Sequence, residues 1–162
     1  EDYTDQMKEQ ITQFLVECTR EELNETSAMN VTLMIRIVNE LESIADSCYI
    51  LMVLCQRRYN KQITFHENAL EDITPYAEAV REFISFNKAH LNEHISEAQL
   101  TKAYKMEIQI DDYRKKLKKI AQTRLQEGSE VKGELLYIDM LSHIEHIVDY
   151  CLNISQALRQ FH

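Results

Sequence analysis

The sequence predicts an all-α fold. Only two glycines and one proline interrupt 162 residues, apolar positions recur at helical spacing through stretches rich in Leu, Ile, Glu, Lys and Gln, and the connections between those stretches are short. Together these features predict an antiparallel bundle of about five long helices and no sheet.

Residues 1 to about 22 make a first amphipathic helix, with Ile11, Phe14, Leu15 and Cys18 on one stripe. Thr26 and Ser27 can cap a second helix that runs to about Arg58, before Tyr59 and Asn60 break it. Thr64 followed by Glu67 fits a capping box for a third helix to about Leu91. Pro75 either kinks that helix or sits in the first turn of a fresh one capped by Thr74. Ser96 with Gln99 caps a fourth helix reaching Gly128, a natural stop, and after "GSEVKG" a fifth runs to the end.

A net charge of −9 repels phosphate backbones, and the one basic run, Arg114 to Lys119, follows directly on Asp111 and Asp112. No nucleic-acid partner is expected, and the run reads as a solvated helix face, or as a contact for anionic lipid if the domain is tethered to a membrane. Cys18, Cys48, Cys55 and Cys151 have neither the spacing of a zinc ribbon nor the density of a disulfide scaffold, and are expected as buried thiols. The longest apolar run, Cys48 to Cys55, is far short of the ~20 residues that span a bilayer. The chain begins at Glu1 without Met or leader, so a piece of a longer protein is expected.

The informative stretches are "NELESIADSC" and "SHIEHIVDYC", from Asn39 and Ser142. Glu42, Ile44, Asp46 and Cys48 recur as Glu145, Ile147, Asp149 and Cys151 at one offset of 103 (145 − 42). The first two helices therefore correspond to the fourth and fifth. The third opens the second unit, and the first unit has no equivalent, as if shortened by one helix. The units divide as residues 1–62 and 63–162, packed as one domain.

In each motif the acids are four apart and share a helix face. Glu42 and Asp46 fall in the strip of Val31, Ile35, Val38, Tyr49 and Val53, and Glu145 and Asp149 in that of Ile138, Leu141 and Leu152, so both pairs are expected on apolar faces. Paired buried carboxylates need a positive charge beside them, either Lys and Arg from a neighbouring helix or a metal ion. Glu107 and Asp111 in the fourth helix, and Glu1 and Asp5 in the first, repeat the spacing and can add ligands if those helices pack alongside. The plainer reading of Glu1 and Asp5 is solvent-facing charge.

No histidine follows a Glu by three residues, which argues against a ferritin-like di-iron oxidase. His90 and His94, four apart, read as solvated rather than metal-binding, and His143 and His146 as exposed. No activated nucleophile and no glycine-rich phosphate cradle is present, so the sequence predicts no enzyme and no catalytic residue.

"ELESIADSC" and "HIEHIVDYCLNI" resemble the repeated Glu-(Arg)-Ile-Gly-Asp signature of PhoU-like domains, in which each three-helix unit carries one such motif. Ser43 and His146 stand in place of the arginine, and Ala45 and Val148 in place of the glycine. The resemblance implies a PhoU-like antiparallel bundle and a regulator of phosphate uptake: the cytoplasmic tail of a sodium/phosphate cotransporter on the inner membrane, or a free-standing phosphate-signalling regulator. It implies a partner in the protein's own upstream transmembrane transporter domain, with a homodimer as a further option. It also implies iron or another metal at Glu42, Asp46, Glu145 and Asp149, helped by Glu107 and Asp111. A purely structural interaction module is the alternative the residues leave open, and the greasy run Cys48 to Cys55 calls for a further contact, with the missing helix or a second chain.

Overall fold

The computed structural model describes residues 2–20 and 22–161. Within them the chain is all helix and turn, with five helices: α1 (Asp2–Cys18), α2 (Glu25–Asn60), α3 (Ala69–His90), α4 (Glu97–Gln126) and α5 (Val131–Gln160). They pack as an antiparallel bundle with α5 at its centre. Among the described residues α5 touches α2, α3 and α4; α3 also touches α4; and α1 rests on α2 alone. Among the described residues no helix is long and apolar enough to cross a membrane.

The centre is apolar on several sides because α5 is. Leu141, Val148 and Cys151 pack with Tyr76, Val80 and Phe83 of α3 and Ala103, Ile110 and Leu117 of α4. A second cluster joins Leu33 and Ile37 of α2 to Ile154 and Leu158 of α5, with Ile95 closing the end. A polar knot lies on the α3–α5 seam. The buried Asn87 of α3 donates to the Cys151 carbonyl at 3.0 Å and accepts from the Ser155 hydroxyl at 2.9 Å, which fixes the register of α3 on α5.

The helix ends follow local chemistry. α4 opens with the capping box of Ser96 and Gln99, as the sequence predicts. After it Gly128 turns with φ 93°, a left-handed conformation suited to glycine, and Ser129 closes back on the Arg124 carbonyl at 2.9 Å. α2 is capped by Asn24, whose side chain accepts from the Ser27 N–H, two residues ahead of the Thr26–Ser27 pair expected for the role. α3 begins at Ala69 and not at a Thr64 box, because the Thr64 N–H is drawn off to the Glu130 carboxylate of the α4–α5 connection at 3.2 Å. α3 runs unbroken through Pro75, and Thr74 bonds back to the Leu70 carbonyl at 2.7 Å instead of capping a new start.

Gly133 sets how closely α5 approaches the α2–α3 loop. A Cβ there would lie 2.2 Å from the backbone oxygen of Thr64, so something in the backbone has to move. Gly133→Ala is expected to cost about 1–3 kcal/mol despite the better helix propensity of Ala. A thermal melt checks this, and a variant at least as stable as the parent would rule out the close approach.

Three expectations about facing change in the structure. Cys48 and Cys55 are exposed thiols, Cys18 is half-buried, and only Cys151 is enclosed, where burial pushes its thiol up to about 12. α2 turns Leu33, Ile37, Ser47 and Leu54 to the core, with Ile44 and Leu51 beside them, so the expected apolar strip of Val31, Ile35, Val38, Tyr49 and Val53 is not the one that meets the core. Glu40, on the α5 side of α2, accepts from Asn153 of α5 at 3.2 Å. The reason is that α2 has more than one apolar stripe, and the one that meets the core carries Leu33, Ile37, Ile44, Leu51 and Leu54. His143 is half-buried and packs edge-on against the exposed His146.

Candidate functional site

The strip of α2 that carries Glu42 and Asp46 faces α1. Both acids are half-buried there, and α1 brings Asp5 across so that one carboxylate oxygen of each lies within 4.8 Å of the others. Lys8, one turn on from Asp5, reaches Glu42 at 3.0 Å. The cluster opens on a groove of about 680 Å³ lined also by Glu9, Thr12 and Asn39. Glu1, the other acid expected from this helix, lies outside the described residues.

The α4–α5 pair repeats the arrangement with a stronger cation. Arg114 stands three residues after Asp111 as Lys8 does after Asp5, and it bridges Asp111 and Glu145 at 2.5 Å each. Lys115 adds a pair to Asp111 at 2.6 Å, and Lys118 approaches Glu145 at 4.0 Å. Hydrogen bonds from Lys115 and then Arg114 hold the Asp111 carboxyl below its usual range. Glu107 moves the other way, pushed up by burial and then by the charges of Asp111 and Asp149. Asp149 itself is exposed, contrary to its expected place on an apolar face. Beneath the cluster the enclosed Tyr76 hydroxyl, donating to the Leu141 carbonyl at 3.3 Å, is raised by burial and by the Glu145 charge.

The six candidate metal ligands therefore divide. Glu42 and Asp46, joined by Asp5, form an acid trio with one lysine on its edge. Glu145 and Asp111 are neutralised by protein cations, with Glu107 and Asp149 at the margin. A planar guanidinium gripping two carboxylates fills the position a metal would take, so the second cluster does not fit a metal ion. The first offers hard oxygen ligands on two helices and fits one once Lys8 swings aside. Lys8 and Arg114 are the members that reasoning from paired acids overlooks, although Asp-x-x-Lys and Asp-x-x-Arg stand plainly at matching places. His90 and His94 make no metal pair: the His94 ring meets the Phe161 carbonyl at 2.7 Å, while His90 sits edge-on to Phe86.

Set beside known proteins, the chain matches no protein-family model, no curated protein and no solved structure.

Proposed function

We propose that the chain is a non-enzymatic regulatory domain of PhoU-like type that serves phosphate uptake, attached on the cytoplasmic side to a sodium/phosphate cotransporter, with a cation site at Asp5, Glu42 and Asp46. The observation that carries the site is the convergence of those three carboxylates from two helices. The motif residues of the resemblance, Glu42 and Asp46, are two of the three. A bound hard cation would cross-link α1 to α2, and because α1 rests on α2 alone, occupancy would set how firmly it is held. This is a lever for a regulator: a peripheral helix whose docking depends on an ion.

Calorimetric titration with Mg²⁺, Mn²⁺, Zn²⁺ and Fe³⁺ tests the site. One ion per chain is expected, with binding lost in Glu42→Gln plus Asp46→Asn and unchanged in Asp149→Asn. Lys8→Met is expected to tighten binding by roughly tenfold, since the ion no longer competes with an ammonium group. No heat with any of the four metals, or binding indifferent to the double variant, would refute it. The second reading is a structural interaction module whose acids are satisfied by lysine and arginine. The Arg114 bridge favours it for the α4–α5 cluster.

A further inference from the structure

We infer a second binding site, separate from the carboxylate trio: the cleft between the end of α2 and the start of α5 takes a phosphomonoester attached to an apolar body. The cleft holds about 540 Å³ and sets Arg57, Lys61 and Lys132 around an apolar floor of Ile63, Leu135 and Leu136. Arg57 lies in the last turn of α2 and Lys61 at its C-cap, four residues apart and so on one face, while Lys132 faces them from the first turn of α5. Arg57 stands about three turns beyond Asp46, roughly 16 Å along α2, so the two sites share no side chain.

The three cations are unanswered. Among the described residues none of their side chains makes an ion pair or a hydrogen bond. Two acids share the lining, and neither neutralises them. The Glu130 carboxylate accepts from the Thr64 N–H at 3.2 Å, and Asp139 stands two turns along α5 from Lys132, with His143 at 3.8 Å. Because Glu130 is drawn to Thr64, α5 starts without a side-chain cap, and the positive end of its dipole adds to the charge of Lys132.

Charge and shape together select the ligand. A guanidinium fork grips carboxylate and phosphate alike, and the two ammonium groups decide between them. A carboxylate brings one charge, whereas a phosphomonoester at neutral pH brings about −1.5 to −2 and three acceptor oxygens, one for each cation. A bare phosphate ion would match the cations and leave the floor open: Leu135 is 55% exposed beside the buried Ile63 and Leu136. An aryl or acyl group on the ester covers that floor, and the cleft has the size such ligands occupy. A net charge of −9 repels a polyanion, which leaves a single phosphate group.

The probe is phenyl phosphate, titrated into the isotope-labelled chain at neutral pH and followed by amide chemical shifts. Saturable shifts are expected in the last turn of α2 and the first two turns of α5. Affinity is expected to exceed that for inorganic phosphate, which lacks the ring, and for phenyl sulfate, which carries one charge, by at least about tenfold. Arg57→Gln plus Lys132→Gln, at exposed positions and with helicity checked by circular dichroism, is expected to weaken phenyl phosphate by at least about tenfold. Leu135→Ser is expected to weaken phenyl phosphate and leave inorganic phosphate unchanged. Vesicles distinguish the source of the ester. Capture by phosphatidic acid and not by phosphatidylglycerol assigns it to a lipid, and phenyl phosphate binding without capture assigns it to a soluble compound. No saturable binding, equal affinity for the three small probes, shifts spread over Lys115 to Lys119, or indifference to the double variant would overturn the inference. None of these readouts involves a metal or α1, so failure here leaves the cation site standing.

Discussion

Phe83→Ala is expected to lower the unfolding free energy by about 3–5 kcal/mol, and with it Tm by roughly 10 °C. Phe83 is fully enclosed, packs in the cluster of Tyr76, Val80 and Leu141, and lies tilted against Phe86 at 6.4 Å between ring centroids. Truncation removes the ring's apolar burial and leaves a cavity that α3 cannot collapse into, because Asn87 one turn on is tied to Cys151 and Ser155. Urea unfolding should show the midpoint falling with the slope unchanged. Phe14→Ala supplies the contrast: the same side chain on α1 is exposed, and its loss should move stability by no more than about 0.5 kcal/mol. A loss below about 1 kcal/mol at Phe83 would mean that α3 is not seated as described.

The existence and order of the helices were legible because composition and periodicity are strong signals in a chain with so few glycines and prolines. The starts of α2 and α3 were less so. Asn24 competes with Thr26 and Ser27 for the same cap, and the Thr64 N–H is claimed by Glu130, 66 residues away, which no local pattern contains. Face assignment failed on α2 for a related reason. A helix bearing one apolar stripe declares its inner face, whereas α2 bears a stripe for α5 and another along Met34, Leu41 and Met52, and hydrophobicity cannot rank them. Of the candidate site, the spacing of the acids and their meeting across helix pairs could be read directly. Which cluster would be neutralised by protein depended on the reach of Lys8 and Arg114, a matter of side-chain geometry.

Arg114→Met is expected to reverse the pH dependence of stability that the α4–α5 cluster imposes. In the parent, Asp111 is held below its usual value of 3.8 by Lys115 and Arg114. Its stabilisation is therefore fully present above about pH 4 and is lost as pH falls through the depressed value. Without the guanidinium, Glu145, Asp111, Glu107 and Asp149 face one another with only Lys115 and Lys118 nearby. Asp111 then loses one of the two cations that hold it down, and Glu107, already raised by burial and by Asp111 and Asp149, loses the lowering charge of Arg114 and rises further. A carboxylate raised on folding contributes at low pH and loses that contribution as pH climbs, so the variant should gain more stability than the parent on going from pH 7 to pH 5. At pH 7 the loss should be about 1–3 kcal/mol, below the cost of breaking a fully buried pair because these groups retain partial solvent access. Removing Arg114 also makes the second cluster resemble the first, so millimolar Mn²⁺ should restore part of the lost Tm in Arg114→Met and not in the parent's second cluster. That comparison is made in an Asp46→Asn background, which silences the α1–α2 site. A variant that keeps the parent's profile between pH 5 and pH 7 would mean that Arg114 is a surface ornament, with the four carboxylates too well solvated to need it.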